Sequence, residues 1–139
     1  LLFKNVMKGD VLLQNIKVIG LVPASAGKKA KETKLMIRES ILTKLGKNVD
    51  NVRKRCAEKP LSISITFFLH QATHTKKDLD SLSNTVIKIL GDQMSSKKDA
   101  LKGLEIVTNT NLIHRIILEK NVVKKDVKEE FSFSIYEWD

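Results

Sequence analysis

The sequence is poor in cysteine, in aromatic residues and in long apolar runs, and each shortage excludes something. Cys56 is the only cysteine, so no intramolecular disulfide can form and a reducing, intracellular (cytoplasmic) setting is expected. It stands in Arg53-Lys54-Arg55-Cys56, where positive charge is expected to lower its pKa, yet no motif there supports a nucleophile. An incidental thiol is the plain reading. No apolar run approaches the roughly 18 residues that a membrane span needs. The opening stretch 1–8 is broken by lysines and lacks the apolar core and cleavage site of a signal peptide. Aromatic residues make up 5% of the chain, too few for a stacking ladder that reads single strands. Tyr136 and Trp138 read instead as core packing or a subunit contact. With no internal repeat and no boundary, the 139 residues form one domain, 1–139.

Acids are also in the minority. Lys plus Arg number 25 against 16 Asp plus Glu, a formal net charge of +9. Such a surplus favours polyanionic partners, nucleic acid first and an anionic membrane surface second. A lysine-rich surface that only aids solubility is the alternative. Hydrophobic residues at 42% and charged residues at 29% fit a globular protein.

Alternation over Val11–Val22 predicts a strand, broken by 23–27. A helix follows to about Leu45, with Ala30, Ile37, Ile41 and Leu45 on one stripe and Gly46 as its C-cap. Residues 47–60 read as a charged connector. Leu61–Leu69 is the clearest strand, apolar at every second position. Leu82, Val86, Ile89 and Leu90 mark a short amphipathic helix that stops at Gly91. The lysine-rich stretch 92–111 is ambiguous, with a helical turn around 98–101 as one reading. Leu112–Leu118 and the run from Phe131 to Tyr136 look like a terminal hairpin. The order β–α–β–α–β–β predicts an α+β fold: a mixed sheet with two main helices packed on one face.

Asp78-Leu79-Asp80 is the most informative tripeptide. In an extended segment its two carboxylates point the same way, about 7 Å apart at their Cα atoms. Hard oxygen ligands of this kind hold Mg²⁺, which activates water and stabilises charge on a phosphate. Equally, Asp80 is a good N-cap for a helix beginning at Ser81, with Asp78 near the positive end of its dipole. Lys76 and Lys77 stand just before the pair, where they would hold flanking phosphates or simply neutralise the aspartates. His70 and His74 invite a zinc reading only if they lie on a helix, and no cysteine partner is near. Pro23–Lys29 superficially resembles a P-loop but fails: Gly20 and Gly27 are separated by six residues, and Lys29 stands where Ser or Thr should follow Gly-Lys. Ser25 could cap the following helix, and Lys28, Lys29, Lys31 and Lys34 would give it a basic entry suited to phosphate oxygens. An ordinary capped helix with a lysine face explains the same residues.

Taken in order, these parts resemble the RusA-type Holliday junction resolvases over most of the chain. A strand leads to Pro23-Ala24-Ser25 and Lys28; then come a helix, the strand Leu61–Leu69, a basic run, Asp78-Leu79-Asp80, a helix to Leu90 and two last strands. The resemblance implies a homodimeric, Mg²⁺-dependent (Mn²⁺ also possible) endonuclease acting on branched DNA, with Asp78 and Asp80 as catalytic metal ligands. Two departures stand out. Ser81 and Asn84 replace the Asn and Lys of the family's Asp-Leu-Asp-Asn-Leu-x-Lys, and Asn109-Thr110-Asn111 replaces its third acid. Asn109 is then expected to ligate through its amide oxygen, or Asp92, Asp99 or Glu105 to substitute. A DNA-binding protein of the same fold without catalysis, or a protein-interaction module with incidental charge, are the alternatives.

Overall fold

A computed structural model of the chain describes residues 9–24, 29–94 and 101–139. The elements are β1 (Val11–Ile19), α1 (Ala30–Leu45), α2 (Val49–Cys56), β2 (Leu61–Leu69), α3 (Gln71–Lys76), α4 (Leu79–Leu90), β3 (Ile113–Val122) and β4 (Glu130–Glu137), with short 3₁₀ turns at Gly46–Asn48 and Thr110–Leu112. The fold is α+β around one mixed four-stranded sheet of order β1-β4-β2-β3.

Alternation decides which side of the sheet is sealed. Leu61, Ile63, Ile65, Phe67 and Leu69 of β2 are buried, and they share one face with Phe131, Phe133 and Ile135 of β4. Against this face pack Ile37, Ile41 and Leu45, spaced four apart on α1, and Leu82, Val86 and Ile89 of α4. Gly46, at φ +54, ends α1 as its C-cap, and its N–H donates to the Leu42 carbonyl. The opposite face carries Ser64, Thr66, Ser132 and Ser134, all half-buried.

Two local expectations are corrected. β1 ends at Ile19 rather than Val22, because Gly20 turns the chain at φ +80. The charged stretch 47–60 contains α2, whose buried residues are Val52 and Cys56, one helical turn apart. Val49, Val52 and Cys56 fall at i, i+3 and i+7, a stripe too short to stand out among the charges around it. A helical turn around 98–101 falls largely outside the described residues.

The terminal hairpin is also corrected. β3 does not pair with β4; it runs parallel to β2 at the sheet edge, while β4 inserts antiparallel between β1 and β2. The buried Phe131, Phe133 and Ile135 suit the central slot. His114, Arg115, Glu119 and Lys120 suit an edge, where charge discourages further pairing.

Residues 101–107 strap the end of α4 to the core. Leu104 N donates to Ile89 O (2.8 Å), and Ile106 N and Val107 N both donate to Leu90 O (2.9 Å). Gly103 passes so close that an added Cβ would overlap the Gly91 carbonyl and lie 2.7 Å from Ile89 O. Gly103→Ala should therefore cost about 1–3 kcal/mol, read as a lower urea midpoint with an unchanged m-value.

Candidate nucleic-acid interface

β1, β2 and β3 all run in one direction, so their carboxyl ends lie together. α1 returns antiparallel to β1: Lys44 and Leu45 lie beside Val11–Ile16, and Leu35–Thr43 beside Leu21. Its first residues therefore reach back to the carboxyl edge. α4 is fixed in the same sense, since Lys120, near the end of β3, binds the chain immediately before it. Ligands of open sheets gather at such an edge, where helix N-termini converge.

β2 feeds this edge directly. After Leu69, the His70 backbone N–H donates to Glu129 Oε2 (2.9 Å), and Nε2 donates to Val127 O (2.6 Å). Its Nδ1 lies 3.8 Å from Glu129 Oε1. These contacts pin the β3–β4 connection to the start of α3. His70 is the N-terminal flanking residue of α3 and His74 lies inside it. Among the described residues no group of three His, Cys, Asp or Glu side chains is placed to hold a metal.

α3 ends on a clamp. Lys120 Nζ donates to His74 O and to Lys77 O, both at 2.7 Å. In register with Phe67, Lys120 occupies a helix-side position of β3 shared with Ile116 and Leu118. Its ammonium sits where the last carbonyls of a helix concentrate negative charge. The clamp sets where the chain turns from Lys76-Lys77 into α4. A lysine at an apolar-face position of a strand is the signal by which the sequence could have revealed it.

Asp78, not Asp80, is the N-cap of α4, with φ −84 and ψ 153, and the helix begins at Leu79. Asp78 makes no side-chain capping bond. Asp80 lies in the first turn, so the extended side-by-side geometry is replaced by one in which residues i and i+2 diverge around the helix. Asp80 lines a groove of about 340 Å³ with Ser81, Ser83, Asn84, Ile87 and Ile116, and Asp78 does not. Both carboxylates are exposed and neither has a hydrogen bond or ion pair among the described residues. The positive end of α4 favours both charges, by about 0.3–1 kcal/mol each.

Around them the edge is basic. Lys76 is exposed and Lys77 half-buried just before the pair. Lys29, at the N-cap of α1, and Lys31 are exposed, Lys34 is half-buried one turn further on, and Lys28 lies outside the described residues, as does Ser25. Lys124, Lys125 and Lys128 of the β3–β4 connection add three exposed cations at the same end.

Asn109 is not brought to the aspartates. Val107 is bonded to Leu90 in the last turn of α4, about 15 Å along the axis from Asp80 at 1.5 Å per residue. Two further residues of chain reach about 7 Å at most. Its Oδ1 is also engaged, accepting from Asn111 N at 3.0 Å. Glu105, bonded through its N–H to Gly91 O, and Asp92 sit at that same far end, and Asp99 lies outside the described residues.

Cys56 departs from expectation in the opposite direction. Burial pushes its thiol up to about 11, and the charges of Arg55 and Lys59 offset this only in part. The thiol is therefore neutral at physiological pH, whereas the unfolded chain ionises near 9.0. Its contribution to stability is full below pH 9 and declines as pH rises through 11. At pH 8 the native protein should react with a disulfide-exchange reagent at least tenfold more slowly than the urea-unfolded chain; equal rates would contradict the burial. Lys120→Met, which keeps the aliphatic stem, should lower stability by about 1.5–3 kcal/mol and speed amide exchange selectively at 77–82.

The chain matches no protein-family model, and no curated protein or solved structure is significantly similar to it.

Proposed function

We propose that this domain binds branched DNA through its lysine-rich edge, and that Asp78 and Asp80 recruit Mg²⁺ there to cut phosphodiester bonds, as in the RusA-type resolvases it resembles. One observation carries the reading: two exposed carboxylates without a partner stand at a helix N-terminus, inside a field of lysines. With no lysine among the described residues bonded to either of them, both carboxylates keep their oxygens open to a cation. Mg²⁺ is commonly held by one or two carboxylates with water and substrate phosphate completing its shell. Asn84 and Ser81, beside Asp80 in the groove, offer further neutral oxygens.

Bound there, the ion supplies Lewis-acid charge and a more acidic water. The chain's own residues do the rest. Lys76 and Lys77 hold the phosphates on one side of the pair, and Lys29, Lys31 and Lys34 lie along the strand's path at the neighbouring helix. Contacts of this type fix position without reading bases, so DNA shape is the target. Two symmetric incisions at a four-way junction call for two copies of the site, hence a homodimer.

Binding without cleavage is the second reading. It is favoured by the distance of Asn109 from the pair and by the divergence of Asp78 and Asp80 around α4. One experiment separates the two. Incubated with a labelled four-way junction and Mg²⁺ or Mn²⁺, the protein should cleave, and Asp78→Asn or Asp80→Asn should reduce cleavage by at least 100-fold while leaving binding intact. Salt-sensitive binding with no cleavage would establish the second reading, and no junction binding at low salt would remove both.

A further inference from the structure

The sheet face away from the helices holds a pocket that the aspartate site does not use. It has a volume of about 380 Å³ and opens beside the carboxyl end of β2. Phe68 lies in it, with Val123 and Val127 completing the apolar lining. Of the aromatic side chains among the described residues, Phe67, Phe131 and Phe133 belong to the core, whereas Phe68 points to the open side.

Polar groups ring this apolar patch. Asn15, Lys17, Lys128, Glu130 and Ser132 line it, and none has a side-chain hydrogen bond or ion pair among the described residues. Asn15 is there because β1 bulges: its φ is +49, the register with β4 shifts between Leu13 and Ile16, and its N–H donates to Ser134 Oγ (2.8 Å). Such bulges re-aim side chains. The far wall is preformed as well. Val123 N donates to Leu69 O (2.8 Å), Val127 N to Lys124 O (3.0 Å), and Val127 O accepts from His70.

We propose that this pocket takes one unpaired nucleotide of a bound nucleic-acid strand, a reading that rests on the DNA-binding function proposed above. The base packs on Phe68, and Asn15, Ser132 and Glu130 meet its edge. Lys17 and Lys128 take its phosphates. Strand β2, which carries Phe68, ends one residue before His70, and His70 leads through α3 to Asp78, so a nucleotide held here lies at the same end of the sheet as the aspartates. A branched substrate supplies unpaired nucleotides at its branch point, and a base out of the stack exposes both its face and its edge. Glu130 is an acceptor only, so bases with an exocyclic amine (adenine, cytosine, guanine) are preferred over thymine.

The test is a titration of the full chain with AMP, CMP, GMP and TMP, followed by ¹⁵N amide shifts, with inorganic phosphate as control. At least one amine-bearing nucleotide should shift the amides of Asn15, Lys17, Phe68, Lys128 and Ser132, more tightly than TMP, and phosphate alone should leave Phe68 unmoved. Lys17→Ala with Lys128→Ala should weaken binding about tenfold, as should Phe68→Leu, while Asp78→Asn leaves it unchanged. The lysine pair is exposed and unbonded, so that variant decides the matter if Phe68→Leu does not fold. No shift with any nucleotide, or undiminished binding by the double lysine variant, overturns the proposal. Junction binding without nucleotide binding removes this pocket alone. Nucleotide binding without junction binding leaves the pocket and removes the branched-DNA reading.

Discussion

Strand β2 is hydrogen-bonded along both edges, antiparallel to β4 and parallel to β3, while five of its side chains seal into the core. Everything of functional interest hangs from its carboxyl end. The strand cannot slide by one residue without moving Ile63, Ile65 and Phe67 to the open face, so its register is strongly held. That rigidity passes to His70, which ties down the β3–β4 connection, and then to α3, whose last turn is gripped by Lys120. Asp78 and Asp80 therefore stand at a fixed height above the sheet even though both are exposed.

Charge is distributed according to the same geometry. Parallel strands direct two helix N-termini to one edge, and these attract anions. Lysines from three separate stretches of the chain meet there, at 29–34, 76–77 and 124–128. Asp78 and Asp80 stand in this field without partners among the described residues, as Glu32 and Asp126 also do, and are set apart by lying together at the start of α4. At the other end, Arg53 and Arg55 are occupied structurally: Arg53 bonds Leu104 O and Asp50, and Arg55 bonds Val11 O. Lys120 is the strut at the basic edge itself, where it bonds His74 O and Lys77 O.

Much of the fold was legible because period and punctuation agree. The alternation of Leu61–Leu69 matches β2 residue for residue, and α1 runs from Ala30 to its glycine cap as its stripe requires. α2 escaped because its apolar stripe, Val49, Val52 and Cys56, spans only two turns within a charged stretch. The hairpin expectation failed for a different reason. Alternation marks a strand but does not name its neighbour, and the choice between hairpin and crossover lies in which strand the core can enclose.

By itself the sequence determined the α+β class, the buried faces of β2 and β4, the basic character of the chain and the position of Asp78-Leu79-Asp80 at a helix start. These depend on local period, composition and capping chemistry. Only the tertiary structure decided that β4 lies between β1 and β2, that Lys120 clamps the approach to α4, and that Asn109 stands at the wrong end of that helix to meet the aspartates. It also decided that Cys56 is buried rather than activated by the arginines beside it. Each depends on residues distant in sequence competing for the same space, and no window of local sequence contains that competition.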